Sequence, residues 1–460
     1  MNNYLEKFIS DNPIEIIDRQ LDSFEQSNDT NDAFIVEYPF TQYYLPKSPV
    51  IILLALVVIE RDGTETKVAA TVLSQKESFV EELSSVASDW SSIFKFCSNH
   101  QLPLFVFNEP VLLQPIDIPK PWGKEVWYTG IEERGQSLVS DGIFSIPLPW
   151  LLSIGEKYWL DQNNTSLILL KILDPLPEPV FGDLYFEMHE EKKEVYVVTH
   201  IDQQAWPEGK GGIRFGFNQE KRQQLANDSL FKEKYLDVVK KYQKIRNEID
   251  AHLDILRKKE LVGLNDPVSA AKTQQWLVSI DKGLIAHEAE LRKEMESFIH
   301  VEPLTVGDVI KVPTHTPHSL MHGVRTIEFQ TPVYERKILS FAQKVLTQSH
   351  WDTESAIDIV SLDAPSISTL DLISQSSESQ CELVVRFDDF EVVRVTFFKS
   401  GDLCFDLKEK YAVVISVFGD LRLDDKEIKS EQAMLVPGNA QTMTIQSDTG
   451  KGILLVAVPV

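Results

Sequence analysis

The chain has 460 residues, 43% of them hydrophobic, with 45 Lys and Arg against 70 Asp and Glu for a formal charge of −25. That length exceeds one compact core, so about two to four domains are expected. The acidic balance excludes a general nucleic-acid partner, which would need Lys and Arg to displace counterions from phosphates. The scattered Cys97, Cys381 and Cys404, odd in number and with no CxxC pair, suggest neither a disulfide framework nor a cysteine metal site.

The first residues, MNNYLEKFISDNPIEIID, lack the basic start and apolar stretch of a signal peptide, so a reducing, cytoplasmic setting is expected. The apolar run from Val50 to Ile59 falls well short of the ~20 residues a spanning helix needs, and no membrane partner is expected. It reads as a buried strand, followed by a turn at Asp62-Gly63 and a second strand from Lys67 to Leu73: a hairpin. A helix is expected near Phe79 to Cys97, and the proline-rich passage Pro110 to Pro121 reads as a connector. Residues 1–115 thus form an N-terminal α+β region in which no chemistry is visible.

From Trp122 the texture becomes short apolar runs bounded by Gly, Pro and Asp, the spacing of a β sandwich or barrel. It breaks after Phe217. Phe231, Tyr235, Val238, Tyr242, Ile245, Ile249, Leu253 and Leu256 recur at helical steps, and Trp276, Ile280, Leu284, Leu291, Met295 and Phe298 make a second stripe. Residues 218–300 are therefore expected to be a helical insertion, largely an α-hairpin, with apolar stripes that serve packing. Strand texture resumes at Gly307, and the serine-rich stretch Ser361 to Ser379 reads as a linker. Beyond Cys381 the pattern is β to the end, and with no histidine after His350 that last region cannot hold a histidine metal site. The expected division is 116–217 plus 301–345 as one barrel, 218–300 as its insertion, and 346–460 as linker and terminal β-domain.

The chemical signal flanks the insertion. Before it, Glu187 and His189 are two residues apart, so on a strand they leave the same face, and Glu194 follows a charged turn that can bring it alongside. After it, His315 and His318 close the run Gly307 to His318. Two imidazoles and one or two carboxylates suit zinc, with manganese or ferrous iron as alternatives. Gly211 to Gly216 has the glycines of a phosphate loop but no following Lys-Ser or Lys-Thr, and reads as a turn.

The spacings Gly182-x4-Glu187-x-His189-x4-Glu194 and Gly307-x5-Pro313-x-His315-x2-His318 resemble the two halves of the cupin signature, with His315 where a glycine is usual. Pro121-Trp122-Gly123 with Trp127, Gly135-Gln136-Ser137, Leu170 to Asp174, Lys192-x-Glu194 and Glu328-Phe329-Gln330 narrow the likeness to the type I mannose-6-phosphate isomerases, over roughly residues 120–345. The resemblance implies a mainly β fold of cupin barrels with a helical insertion, the last β-domain being a metal-free second cupin. It also implies one metal ion on Glu187, His189, Glu194 and His318, and a small sugar phosphate isomerised between aldose and ketose, with no nucleic acid involved.

By the same resemblance Lys171, Lys192 and Arg336 supply positive charge for the phosphate or developing oxyanion. The base stays open among Glu335, His315 and Lys192. Two departures stand out. Glu187 occupies a position where the family carries a neutral amide, which lowers the metal's Lewis acidity. The approach to Arg336 is also two residues shorter. A ferrous oxygenase and a non-catalytic sugar-binding protein are the alternative functions, and the oligomeric state is not legible.

Overall fold

The computed structural model describes residues 5–160, 166–365, 367, 369–439 and 441–460. The chain forms two compact units, one of residues 1–116, 127–170 and 370–460 and the other of residues 117–126 and 171–369. Among the described residues no helix is long and apolar enough to cross a membrane.

In the first unit a five-stranded sheet runs Glu6–Ile9, Asn31–Thr41, Val50–Asp62, Glu65–Ser74, Phe105–Val106, its first pair parallel and the others antiparallel. The expected hairpin is Val50–Asp62 with Glu65–Ser74, closing at Asp62 opposite Glu65. The expected helix at Phe79 to Cys97 is instead a 3-10 turn, Val80–Ser85, and a helix, Trp90–Asn99. Asp89 restarts the chain there by accepting the backbone N–H of Ser92, a cap worth about 1 kcal/mol.

A nine-stranded sheet carries the C-terminal residues. Its central strands are Val111–Gln114, Ala433–Val436, Ala412–Phe418, Gly452–Pro459, Phe390–Phe397 and Ser379–Arg386. The supposed connector thus supplies a strand, because Val111–Gln114 lies between Pro110 and Pro115 and keeps every N–H for the ladder. The supposed serine-rich linker likewise contains an edge strand, Asp371–Gln375, paired with Ser379–Arg386. Val395, Val414, Leu454 and Val456 of this sheet pack against Leu423, Met443 and Ile445 of a four-stranded sheet in an apolar core.

The second unit is built from two antiparallel sheets. One orders Val309–Val312, Glu194–Ile201, Val324–Gln330, Leu169–Pro175, Gly123–Trp127 and Ile116–Lys120; the other orders Ile299–Leu304, Gly211–Phe217, His318–Leu320, Phe186–Met188 and Lys337–Ser340. Pro119 sits in the edge strand, where a missing N–H costs no ladder bond. Strand structure resumes after the insertion at Ile299, eight residues earlier than the sequence pattern suggests.

Helices Asp228–Lys259, Ala270–Leu277 and Lys282–Glu296 make up most of the insertion. Asn227 caps the first by accepting from Leu230 N–H, and Arg257, Lys258 and Lys259 face the negative end of its dipole. Phe231 and Tyr235 pack edge-on against Phe217, and Phe298 packs against both of them, fastening the insertion to the barrel sheet. Each such fully buried ring contributes about 2–3 kcal/mol.

Candidate metal centre

Two glycines open the segments that carry the metal-ligand candidates. A Cβ on Gly182 would lie 1.8 Å from the Leu176 carbonyl oxygen, so only glycine passes there, and Gly307 turns the chain at φ +96° into the strand Val309–Val312. Glu187 lies in Phe186–Met188 directly opposite His318, His189 follows at the strand's end, and Glu194 begins Glu194–Ile201. Residues separated by more than a hundred positions are thereby brought together. One ligand atom each from Glu187, His189 and His318 lies within 4.8 Å of the others.

Both imidazoles are aimed by their second nitrogen. His189 Nδ1 stands 2.8 Å from the Glu335 carbonyl and His318 Nδ1 3.0 Å from the Thr316 carbonyl, so each points Nε2 into the site. Burial, reinforced by the nearby Lys192, holds the His189 pKa well below its usual range, keeping the ring neutral as a ligand must be. His189 Nε2 and Glu187 Oε2 are buried and make no hydrogen bond. Two donor atoms withdrawn from water without a hydrogen bond, beside a second imidazole, fit a divalent cation.

Glu194 lies outside that triple but next to it. Its Oε1 is 3.4 Å from His189 Nε2 and 2.5 Å from Lys192 Nζ, and its Oε2 is 3.0 Å from His318 Nε2 and accepts the Tyr196 hydroxyl at 2.5 Å. Burial alone would raise the Glu194 pKa, but Lys192, His189 and His318 outweigh it and hold the carboxylate ionised. Burial would also discharge His318, yet its bond to Glu194 raises it.

The basic candidates converge on the same face. Lys171 Nζ donates to Gln330 Oε1 at 2.8 Å, and Arg336 stands 3.8 Å from Glu187 Oε2 while its guanidinium lies 5.0 Å from the centre of the Tyr185 ring. Glu335 Oε2 accepts the N–H groups of Glu190 and Glu191 and so braces the turn after His189, leaving Oε1 buried without a hydrogen bond. His315 adopts φ +63°, the left-handed conformation that explains the usual glycine, and its N–H binds the His189 carbonyl at 2.7 Å.

Two residues escaped the sequence reading as site residues. Tyr196, two beyond Glu194, shares its face, and that parity was the available signal. Glu328 sits opposite Tyr196 in the neighbouring strand, and burial pushes its carboxyl up to about 8 despite Lys171. With Lys171 and the buried pair Lys120–Glu125, 2.9 Å apart, these side chains add to the buried charge of this sheet.

No protein-family profile and no curated protein matches the sequence. Solved structures do. The chain is similar to mannose 6-phosphate isomerase from Bacillus subtilis (TM-score 0.50, 14% identity), to a zinc-bound mannose 6-phosphate isomerase (0.52, 11%) and to an arginine-to-alanine mutant of phosphomannose isomerase from Salmonella typhimurium (0.53, 11%). Each comparison covers 76% of this chain and 99% of the other. The fold is accordingly mainly β, of the cupin class, with a helical insertion and an N-terminal α/β region.

Proposed function

We propose that this protein is a metal-dependent aldose–ketose isomerase acting on a sugar phosphate, most naturally mannose 6-phosphate to fructose 6-phosphate. The observation that carries the reading is the meeting of Glu187, His189 and His318, with Glu194 beside them, among Lys171, Lys192 and Arg336 in a chain whose net charge is −25. The likeness to solved mannose 6-phosphate isomerases supports it at the level of fold.

In this reading Glu187, His189, Glu194 and His318 hold zinc. Bound there, the ion supplies Lewis-acid stabilisation of the negative charge that develops on the substrate's two oxygens. Arg336, about a quarter exposed, binds the phosphate, its planar fork matching two phosphate oxygens. Lys171 and Lys192 bring positive charge toward the sugar oxygens. Proton transfer between the two carbons needs a group that gains and loses a proton near neutral pH. Glu328, at about 8, joins Glu335, His315 and Lys192 as a candidate, and Tyr196 and the Glu335 carbonyl act by positioning Glu194 and His189.

The test is a coupled assay on mannose 6-phosphate and other aldose phosphates with zinc-loaded protein, run beside exchange of the C2 proton in D2O. Turnover and exchange on one sugar phosphate are expected. Zinc-loaded protein that exchanges no C2 proton on any aldose phosphate would refute the isomerase. A second reading has one observation in its favour: Glu187, His189 and His318 alone make the two-histidine, one-carboxylate set used by ferrous oxygenases. Iron in the purified protein together with oxygen consumption would select it.

A further inference from the structure

The helical insertion borders a cavity of about 190 Å³ that none of the proposed metal ligands lines. Ile249, Leu253, Leu277 and Ile285 give it apolar walls, Trp276 adds an aromatic face, and Ala342, Gln343, Lys344 and Leu346 also line it. A dry cavity of ~150 Å³ accommodates benzene, so this space takes a ring with a short substituent, roughly ten non-hydrogen atoms.

The polar groups on its wall are unusual for so acidic a chain. Arg246, Arg257, Arg292 and Lys344 line the cavity, against Glu288 as the one lining carboxylate. Three of these cations have an acidic partner: Arg246 binds Asp250 at 2.8 Å, Lys344 binds Asp254 at 2.6 Å and Arg292 faces Glu288 at 3.4 Å. Arg257 and Arg292 nevertheless keep donor capacity. Arg257, 7% exposed, donates through Nη1 to the Gly263 and Asp266 carbonyls; Asp254, Asp250 and Asp266 act on it through space, but among the described residues none of its hydrogen bonds reaches a carboxylate. Arg292 has its Nε buried without a hydrogen bond, 3.4 Å from the Glu288 oxygen that already accepts the Tyr242 hydroxyl.

We propose that this cavity binds a small amphipathic anion, an aromatic or branched-chain carboxylate, with the apolar body against Leu253, Leu277 and Trp276 and the carboxylate on Arg257 and Arg292. A guanidinium with unused N–H groups binds a carboxylate through paired hydrogen bonds, and surrounding apolar walls strengthen that attraction while rejecting a heavily hydroxylated ligand. The site is independent of the metal centre and of the reaction proposed for it.

The experiment compares phenylacetate with its neutral isostere phenylacetamide by calorimetric titration of the full chain. Phenylacetate should bind saturably with Kd on the order of 0.1–1 mM and the amide at least about tenfold more weakly. Leu277→Trp, which fills the cavity, should abolish binding. Arg292→Gln should weaken phenylacetate about fivefold or more while leaving the amide unchanged. Equal affinity for acid and amide, undiminished binding by Leu277→Trp, or no saturation by about 10 mM phenylacetate would overturn the proposal. The acid-amide comparison uses the unaltered protein and stands whether or not the variants fold.

Discussion

The strand-rich half of the unit formed by residues 171–369 and the β-domain after residue 370 are woven from the same kind of short antiparallel strands around apolar cores, yet they differ in the polar side chains they bury. The first buries His189, Glu194, His318, Lys171, Lys192 and Glu328. In the second, the buried polar residues among those described are Ser379, Ser416 and Ser447, and the core is Val, Leu, Ile, Met and Phe with Ala412 and Cys381. Burying a charge costs several kcal/mol unless it is paired or ligated, so a fold that needs only stability does not do so repeatedly. One region buries groups able to ligate and titrate at the expense of packing, and the buried side chains described in the other are almost entirely apolar.

The sharpest way to break that contrast is His189→Ala. Metal content by mass spectrometry should fall from about one ion per chain to a small fraction, and any isomerase turnover by about a thousandfold or more, ~4 kcal/mol of barrier. Unchanged metal content would place the ion elsewhere.

Next comes the pH dependence of stability. Between the ordinary carboxyl value of 4.5 and about 8, the unfolded chain loses the Glu328 proton while the folded protein keeps it. The native state then binds more protons, so this group makes stability fall as pH rises through that window, by up to ~1.4 kcal/mol per pH unit. Glu328→Gln should remove that slope in urea titrations at several pH values, and an unaltered slope would show Glu328 to be ionised in the fold.

In the apolar region the effects should appear only in stability. Leu454→Ala should cost about 2–5 kcal/mol by denaturant titration and leave metal content unchanged. Tyr196→Phe should do the reverse, weakening zinc affinity about 10–100-fold in a chelator competition with little change in unfolding midpoint. The smallest effect is expected at His315, whose left-handed backbone strains any side chain. His315→Gly should stabilise by about 1 kcal/mol, and a loss of stability would show the imidazole making a contact worth more than the strain.

Much of this was legible beforehand. The hairpin around Asp62-Gly63, the helical stripes of 218–300 and the strands after Cys381 follow from local periodicity, and each formed close to where it was expected. Predictions that leaned on proline or serine content went wrong. Val111–Gln114 and Asp371–Gln375 are strands because they found neighbours to pair with, and pairing partners lie far away in sequence. In the site, the spacing of Glu187, His189 and Glu194 revealed a shared face. The roles of Tyr196 and Glu328 emerged only from the register that sets them opposite each other.

By itself, the sequence determined the chemical inventory: which residues can ligate, which are basic in an acidic chain, and which stretches alternate as strands or repeat as helices. The tertiary structure decided what those residues are to one another. It split the four expected ligands into a mutual triple and a fourth carboxylate held by Lys192 and Tyr196, and it gathered Arg257 and Arg292 at a cavity no motif announces. The reason is that periodicity is a property of neighbours along the chain. Coordination, burial and pKa depend on distances across it, which are set only when the sheets and helices pack.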